Sequence, residues 1–488
     1  MRIHCILLIF IIFLSASAQT EEPFSHYFEK ATLRIDYYHS GDQHNEWITL
    51  SRLYRQPIWA GSTHHLIDNL NNGKYYLSLY DKNGKNLLYG RGFNSYFGEY
   101  QTTLPASKGV KRTFAETALV PFPKDTVILS IASRDSTNRL TEVFRQQILP
   151  SSSAINREKR SMGAEVFPIH VKGAPQQKVD VVIVGEGYSE EERDKFKEDL
   201  LHFSDTLLSY QPFKKYKDSF NIYGVFMPSA ESNCDEPTHG VYKNTVLDAS
   251  FNSLGSPRYL LTENVHRLYD LASAAPCDAV VIMVNHTRYG GGGIYNFYAT
   301  FTSDNYWSDF VFVHEFGHSF AGLADEYYTS STAYEQFYPP NTEPLEPNIT
   351  ALLDPVKLKW KHLVQKDTPL PTPWHKDEYD RTSMEYQKKR REINQRLARL
   401  TREGADSSLI STIKEKADHL SRLYEARLDS IIQNDPYHGK VGAFEGAGYA
   451  SQGLYRPMID CIMNRKKAKS FCRVCRETIE RVIKRYTD

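Results

Sequence analysis

Two histidines separated by three residues are the strongest chemical signal in the chain. They are His314 and His318, and Glu315 directly follows the first of them. On a helix, residues four apart lie on one face about one turn above each other, so both imidazoles can reach one metal ion. A Zn²⁺ ion acidifies a water molecule, and Glu315 can accept its proton as the water attacks a carbonyl carbon. The spacing therefore predicts one catalytic Zn²⁺ ion, with Glu315 as the general base.

A catalytic zinc needs a third protein ligand, and two acidic residues follow the histidine segment. Gly322 can turn the chain back towards the metal, and Asp325 and Glu326 come soon after it. We predict that Asp325 is the ligand because it lies three residues after this glycine. The alternative for Asp325 is a capping role, since aspartate is common at caps and turns. We expect Glu326 to accept a hydrogen bond from a histidine N–H instead.

The elements that would position these residues follow an α/β pattern downstream of residue 179. Apolar strands at 179–184, 220–226 and 279–284 alternate with helical segments, the first of which begins with the capping box of Ser189 and Glu192. This order predicts a mixed, mostly parallel sheet with right-handed crossovers. We assign residues 179–488 to this α/β catalytic domain.

A glycine-rich run lies between the last of these strands and the histidines. Glycine lets another backbone approach closely, so Gly291 and Gly292 are candidates for an edge strand that pairs with an extended substrate. A flexible loop is the alternative. Tyr455 and Arg456 are candidates for holding substrate or stabilising an oxyanion, and an ion pair with a carboxylate is the alternative for Arg456.

Two further regions differ in pattern from this α/β domain. Residues 19–150 alternate short strands with turn sequences, which predicts an all-β sandwich domain, and residues 151–178 are predicted to link it to the catalytic domain. Residues 383–433 contain two apolar stripes at helical spacing, separated near Gly404. Dense charges cover their other faces. This pattern predicts an antiparallel helical hairpin inserted into the catalytic domain.

The first 18 residues have the pattern of a cleaved signal peptide. Arg2 precedes an apolar run that ends at Leu14, and the sequence Ala16-Ser17-Ala18 offers a cleavage site. The apolar run is too short to cross a bilayer as a helix, and no later run is long enough. We therefore expect an exported protein, secreted or periplasmic, with no transmembrane segment.

Charge and cysteine content narrow the choice of partners and cofactors. The 59 basic and 59 acidic residues balance, so the chain lacks the positive excess that is typical of nucleic-acid-binding proteins. Five cysteines follow the signal peptide, which is too few for a disulfide scaffold, and an odd number leaves at least one free thiol or an intermolecular bond. The pair Cys472 and Cys475 has metal-binding spacing, but no second pair completes a zinc knot, and we expect a structural or incidental role.

These motifs resemble those of a known family. From about residue 179, the chain is similar to the IgA peptidase family of secreted zinc metallopeptidases, and the N-terminal 130 residues look like the β-sandwich domain that precedes the peptidase in members of that family. The matching segments are residues 229–237, 314–328, 441–447, 453–457 and 461–463. The resemblance implies a metzincin-like fold with the zinc above a methionine turn, for which Met463 is the first candidate and Met458 the second. Metzincins place the third ligand ten positions after the first histidine, where this chain has Ala324, so Asp325 departs by one residue.

The sequence therefore predicts a secreted zinc endopeptidase that acts on protein or peptide substrates, in an oligomeric state that the residues leave open. Immunoglobulin cleavage belongs to few members of the family and is not transferred. A non-catalytic zinc-containing binding protein is an alternative, although a purely structural site has no use for Glu315. A zinc amidase that acts on cell-wall peptides is a second alternative.

Overall fold

A computed structural model describes residues 24–328, 338–339 and 341–488. The predicted signal peptide, residues 1–18, lies outside the described residues. Within the described residues, no helix is both long enough and apolar enough to cross a membrane.

Two four-stranded sheets form the N-terminal part of the chain. Its elements are α1 (Phe24–Tyr27), β1 (Phe28–Gly41), β2 (Glu46–Gln56), β3 (Tyr75–Asp81), β4 (Leu87–Phe93), α2 (Tyr96–Gln101), α3 (Leu104–Ser107), β5 (Arg112–Pro123), β6 (Val127–Arg134), β7 (Leu140–Ile148) and β8 (Ile155–Asn156). The strand orders are β5-β1-β2-β8 and β4-β3-β6-β7. Both sheets contribute to one hydrophobic core, in which Ile35 of β1 and Leu129 of β6 are fully buried.

The helices α2 and α3 are too short for an apolar stripe to reveal them in the sequence. Each begins with a side-chain cap: the Ser95 hydroxyl accepts from the Gly98 N–H, and the Thr103 hydroxyl accepts from the Ala106 N–H. The N-terminal part is therefore not made of strands alone.

The C-terminal part is built around a six-stranded sheet. Its elements are β9 (Glu165–His170), β10 (Val179–Glu186), α4 (Arg193–Ser209), β11 (Phe220–Phe226), α5 (Val265–Ala272), β12 (Ala279–Val284), β13 (Gly291–Ile294), β14 (Tyr298–Thr302), α6 (Ser308–Ala321), α7 (Lys376–Arg402), α8 (Ser407–Gln433), β15 (Phe444–Ala447), β16 (Ala450–Arg456) and α9 (Arg473–Thr487). The strand order is β13-β14-β12-β10-β11-β9. The four inner strands are parallel, whereas β9 and β13 join the two edges in antiparallel orientation. The sheet is thus mixed and mostly parallel, as the alternation of strands and helices predicted.

Both faces of this sheet are covered, which explains why its strands are apolar throughout. Along β10, Val181 and Ile183 point to the face that α4, α6 and α9 cover. Val182 and Val184 point to the opposite face, which packs against α5 and against aromatic residues of the N-terminal part, such as Phe97. The two parts of the chain therefore share one of the large cores.

Polar contacts also join the two parts. Arg34 of β1 forms a buried ion pair with Asp270 of α5 at 2.7 Å. Near the C-terminus, the Tyr486 hydroxyl accepts a hydrogen bond from Arg91 of β4 at 3.0 Å. Residues 151–178, which the sequence assigned to a linker that leads into the catalytic domain, contain β8, paired with β2, and β9, paired with β11.

Helices α7 and α8 pair along their lengths as a hairpin, which begins at Lys376 rather than at residue 383. The Lys389 ammonium donates to the Tyr424 hydroxyl at 2.7 Å across the pair. At the base, Ile432 packs in one cluster with Phe444 and Ile459 of the body. The hairpin is therefore not self-contained, because its base belongs to the core.

Candidate metal centre

Helix α6 carries both histidines and is held firmly by the core around it. Phe312 and Phe316 are fully buried against the sheet. A Cβ atom on Gly317 would lie 3.1 Å from the Met463 sulfur, so glycine permits this close approach. The helix ends at Gly322, whose φ of +63° is in the left-handed region that favours glycine. The predicted turn after the histidines is therefore present.

Three ligand-type atoms converge at the end of this turn. Nε2 of His314 and Nε2 of His318 lie 3.0 and 3.3 Å from Oδ1 of Asp325, and 3.1 Å from each other. Atoms that bind one tetrahedral Zn²⁺ at about 2.0–2.1 Å are separated by about 3.4 Å. Oδ1 of Asp325 is buried and accepts no hydrogen bond from the described residues. This donor set fits a zinc ion, and the structure brings Asp325, rather than Glu326, to the histidines.

The second nitrogen of each ring fixes the histidine tautomers. His314 Nδ1 lies 3.0 Å from the Ile462 carbonyl, and His318 Nδ1 lies 2.6 Å from the Leu323 carbonyl. A carbonyl oxygen only accepts, so each Nδ1 carries a proton and each Nε2 is the ring nitrogen available to bind a metal. The prediction that Glu326 binds a histidine N–H is wrong, because both N–H groups donate to the main chain.

The pKa values of His318 and Asp325 reflect the attraction between these two groups. For His318, burial lowers the pKa, but the neighbouring Asp325 carboxylate outweighs it and raises the pKa to about 9. For Asp325, burial raises the pKa, but the two imidazoles hold it well below its usual range. A divalent cation bound by the two imidazoles and the carboxylate would supply the positive charge that a proton on His318 supplies in its absence.

Asp325 is oriented by a turn that the sequence analysis did not single out. The Tyr449 hydroxyl donates to Oδ2 of Asp325, and the Gly448 N–H donates to the Asp325 carbonyl at 3.0 Å. The Tyr449 N–H also donates to the carbonyl of Tyr327, whose ring stacks near His314. Tyr449 is 124 residues from Asp325 in sequence. No local spacing could have indicated this contact.

Glu315 projects towards strand β13. A Cβ atom on Gly291 would lie 3.1 Å from Glu315 Cγ, and one on Gly293 would lie 2.4 Å from the Glu315 carbonyl oxygen. Gly292 faces the other way, towards Tyr259. Burial raises the pKa of the Glu315 carboxyl. The glycines that leave room for α6 and Glu315 are therefore Gly291 and Gly293, the second of which was missed.

The outer edge of β13 is already paired at Gly291. The Leu260 N–H donates to the Gly291 carbonyl at 3.2 Å, and the Gly291 N–H donates to the Arg258 carbonyl at 3.4 Å. A substrate main chain cannot form these bonds in this conformation. The prediction of substrate pairing is therefore wrong at Gly291, and Gly292 faces away from Glu315.

Tyr455 and Arg456 lie on β16, and neither lines the space over the histidines. Tyr455 exchanges main-chain hydrogen bonds with Thr350. Arg456 is 1 % exposed, donates to the Gly446 carbonyl, and lies 4.7 Å from the ring centroid of Trp374. Arg456 therefore supports the turn that carries Tyr449, and a role of either residue in binding substrate stays a prediction.

The two methionine candidates differ in position. Met463 is fully buried beneath α6, and its carbonyl accepts from the Glu326 N–H at 2.8 Å. Met458 is only partly buried at the margin of the same core. Met463 is thus the methionine that underlies the histidines.

A cleft of about 1700 Å³ opens over the histidines, Glu315 and Asp325. Among the described residues, its lining includes the N-terminal sheets, the segment around α6 and β13, and the helical hairpin, together with residues 338–339, 342–346 and 464–467. Examples are Arg134 from the first region, Tyr289 from the second, and Tyr386 and Arg390 from the third. The hairpin therefore forms one wall of the site, a role that its charge pattern did not indicate.

Comparison with family models assigns the chain to a protein family. Residues 167–483 match the model described as IgA Peptidase M64, so the protein is a metallopeptidase, a hydrolase whose substrates are proteins or peptides. Residues 23–145 match the model described as Peptidase M64 N-terminus. The chain belongs to the IgA peptidase M64 family. A comparison with curated proteins finds no match.

Proposed function

We propose that the protein is a zinc-dependent endopeptidase, exported by its N-terminal signal peptide. The observation that carries this proposal is the convergence of His314 Nε2, His318 Nε2 and Asp325 Oδ1 beside Glu315 in the cleft. Imidazole and carboxylate donors suit Zn²⁺, and three protein ligands are the usual number in a catalytic zinc site, because one position stays open.

The chemistry divides between the ion and the chain. Bound Zn²⁺ would supply a Lewis acid that polarises the scissile carbonyl and acidifies water. Glu315 accepts a proton from the attacking water on its carboxylate and delivers it to the leaving nitrogen. Burial raises the pKa of Glu315, which suits a group that must hold a proton between two steps. Tyr449 holds Asp325 in place through Oδ2 and leaves Oδ1 for the metal.

The shape of the cleft supports a polypeptide substrate rather than a small one. Its walls come from the N-terminal sheets, the peptidase core and the hairpin, so a bound chain would contact all three. We propose an N-terminal domain at 19–150, a connecting segment at 151–178, and a peptidase domain at 179–488 with the hairpin as its insertion. We also propose that Met463 forms a methionine turn beneath the zinc, as in metzincins.

The proposal is tested by Glu315→Gln, assayed on a peptide library with mass-spectrometric detection of the cleaved bonds. Because the amide cannot accept the water proton, we expect hydrolysis to fall about 10²–10⁴-fold while the zinc content is unchanged. The matched control is Glu425→Gln, which alters a cleft acid on the hairpin that pairs with Lys467. Full activity of Glu315→Gln would remove this residue from the mechanism. Cleavage confined to cell-wall peptides would favour the amidase alternative.

A further inference from the structure

Behind the histidine site, three cysteines and a glutamate form a closed cluster that the mechanism does not use. Cys461, Cys472, Cys475 and Glu326 are each at most 3 % exposed. One donor atom from each lies within 4.8 Å of all the others. The sequence offers no second cysteine pair beside Cys472 and Cys475, but the fold brings Cys461 and Glu326 to them.

The distances within this cluster match those of a four-coordinate zinc site. The sulfurs of Cys461 and Cys475 are 3.8 Å apart, and Oε1 of Glu326 lies 3.1 Å from the Cys475 sulfur and 3.8 Å from the Cys472 sulfur. Thiolates bound to one tetrahedral Zn²⁺ at about 2.3 Å are about 3.8 Å apart. Four protein ligands with no open position are typical of structural rather than catalytic zinc.

The main chain is arranged to stabilise thiolates. The N–H groups of Cys472 and Met463 donate to the Cys461 sulfur at 3.2 and 3.5 Å, and the Cys475 N–H donates to the Cys472 sulfur at 3.5 Å. Cys472 is also the N-cap of α9. The N-terminus of a helix favours negative charge and lowers the cost of a thiolate.

The buried carboxylate of Glu326 lacks a full set of partners, and a cation would supply one. Its Oε1 accepts from the Asn348 side chain at 3.0 Å, whereas its Oε2 is buried and has no hydrogen-bond partner among the described residues. A buried carboxylate is costly unless it is paired or coordinates a metal. A disulfide between Cys461 and Cys475 would use two of the four groups and leave Oε2 of Glu326 still without a partner among the described residues.

We propose that Glu326, Cys461, Cys472 and Cys475 bind a second, structural Zn²⁺ ion. Soft thiolate donors select zinc over magnesium or calcium. The proposal does not depend on the peptidase activity, because it concerns a different set of donors.

The position of this cluster gives the ion a mechanical role. Glu326 directly follows Asp325, and Cys461 directly precedes Ile462, whose carbonyl orients His314. Both segments would be joined through one ion to the first turn of α9. The second zinc would thereby fix the backbone from which the histidine site is built.

The test is metal analysis of the purified full-length mature protein after reconstitution with Zn²⁺. We expect two zinc ions per chain. His318→Ala and Cys475→Ser should each retain one, the first in the thiol site and the second in the histidine site. The control Cys277→Ser, a cysteine outside both clusters, should retain two. A single zinc in the unaltered protein that His318→Ala removes would overturn the proposal.

Two measurements on proteins with all three thiols intact protect the test against misfolding of Cys475→Ser. Reconstitution with Co²⁺ should give thiolate-to-cobalt charge-transfer absorption that persists in His318→Ala. Alkylation after denaturation without reductant should modify all five cysteines that follow the signal peptide. Only three modified cysteines, or no charge-transfer absorption, would overturn the proposal in favour of a disulfide. A protein that keeps this absorption but hydrolyses no peptide would retain the second site and refute the proposed function alone.

Discussion

The hydroxyl of Tyr449 occupies the one oxygen of Asp325 that faces away from the histidines. Hydrogen bonds to a metal-binding carboxylate fix its orientation, and their removal typically costs about 10–100-fold in metal affinity. We therefore expect Tyr449→Phe to weaken zinc binding by about this factor. Competition with a chromophoric chelator measures the change.

The control for this substitution is Tyr455→Phe, on the strand that follows the same turn. Tyr455 is held through its main chain to Thr350, so removal of its hydroxyl should leave the zinc affinity unchanged. Equal losses in the two variants would show that the effect comes from the turn as a whole.

The adjacent residues Asp325 and Glu326 should bind two separate metal ions. Because Asp325 contacts the histidines and Glu326 contacts the cysteines, Asp325→Ala should lose the histidine-site metal and Glu326→Ala the thiol-site metal. Cobalt absorption separates the two, since only the thiol site gives charge-transfer bands. Loss of the same band in both variants would contradict this assignment.

At the scale of residues, the sequence predicted those parts of the site that lie close together along the chain. His314 and His318 share a helix, and Gly322 turns the chain four residues later, so their spacing carried the information. Tyr449 and Cys461 reach the sites only through tertiary folding. Their distance along the chain from Asp325 and Glu326 hid both contacts.

At the scale of the elements, the packing of β13 against α6 depends on Gly293, because glycine has no side chain. A Cβ atom at Gly293 would lie 2.4 Å from a main-chain oxygen of α6, whereas one at Gly292 would meet side-chain atoms of Tyr259 and Leu261, which can shift. We expect Gly293→Ala to lower the free energy of unfolding by about 1–3 kcal/mol. Gly292→Ala is the matched control and should cost less. Chemical denaturation compares the two, and a larger loss in Gly292→Ala would contradict this geometry.

The hairpin offers a test of substrate selection. Replacing its distal part, residues 393–416, with a short Gly-Ser linker keeps Ile432 in the core and the Lys389–Tyr424 contact in place. Because this part supplies cleft residues such as Asn394, we expect slower cleavage of unfolded proteins but unchanged hydrolysis of short peptides.

Zinc content and thermal unfolding are the controls for this deletion. Both should match those of the full-length protein, because the base of the hairpin is intact. Loss of zinc or of a cooperative transition would place the distal hairpin in the core.

Sequence patterns predicted the long helices and strands but not how these elements pair and pack. The stripes of α7 and α8 predicted a hairpin, and the apolar runs predicted the parallel strands. Periodicity carries no information on which edge is covered, so the pairing of Gly291 with Arg258 and Leu260 was not foreseen. For the same reason, the packing of Ile432 into the body was missed.

At the scale of the whole molecule, the two parts of the chain depend on each other for stability. Asp270 pairs with Arg34 in a buried site, and Arg34 also pairs with Asp36. Removing one partner of a buried ion pair costs about 3–5 kcal/mol, because the other charge stays buried. We expect Asp270→Asn to cost about 3 kcal/mol, near the lower end, since Asp36 still contacts Arg34.

An exposed pair across the same boundary gives the control. Glu263 pairs with Arg112 where both side chains are more than two-fifths exposed, so Glu263→Gln should cost about 0–1 kcal/mol. Thermal unfolding of both variants measures the difference. Similar destabilisation by the two variants would mean that the buried pair is not what holds the parts together.

The return of α9 to the N-terminal sheets has a consequence for biosynthesis. Arg91 can bind Tyr486 only after α9 has been synthesised, and α9 also brings Cys475 and the capping Cys472 to Glu326. Domains generally fold as units in the order in which they are synthesised, but here the N-terminal sheets and α9 contact each other across 395 residues of sequence. A product of premature termination would therefore expose apolar surface to degradation instead of persisting as an unregulated protease fragment. The metallopeptidase therefore completes the support of its site only after α9 has been synthesised.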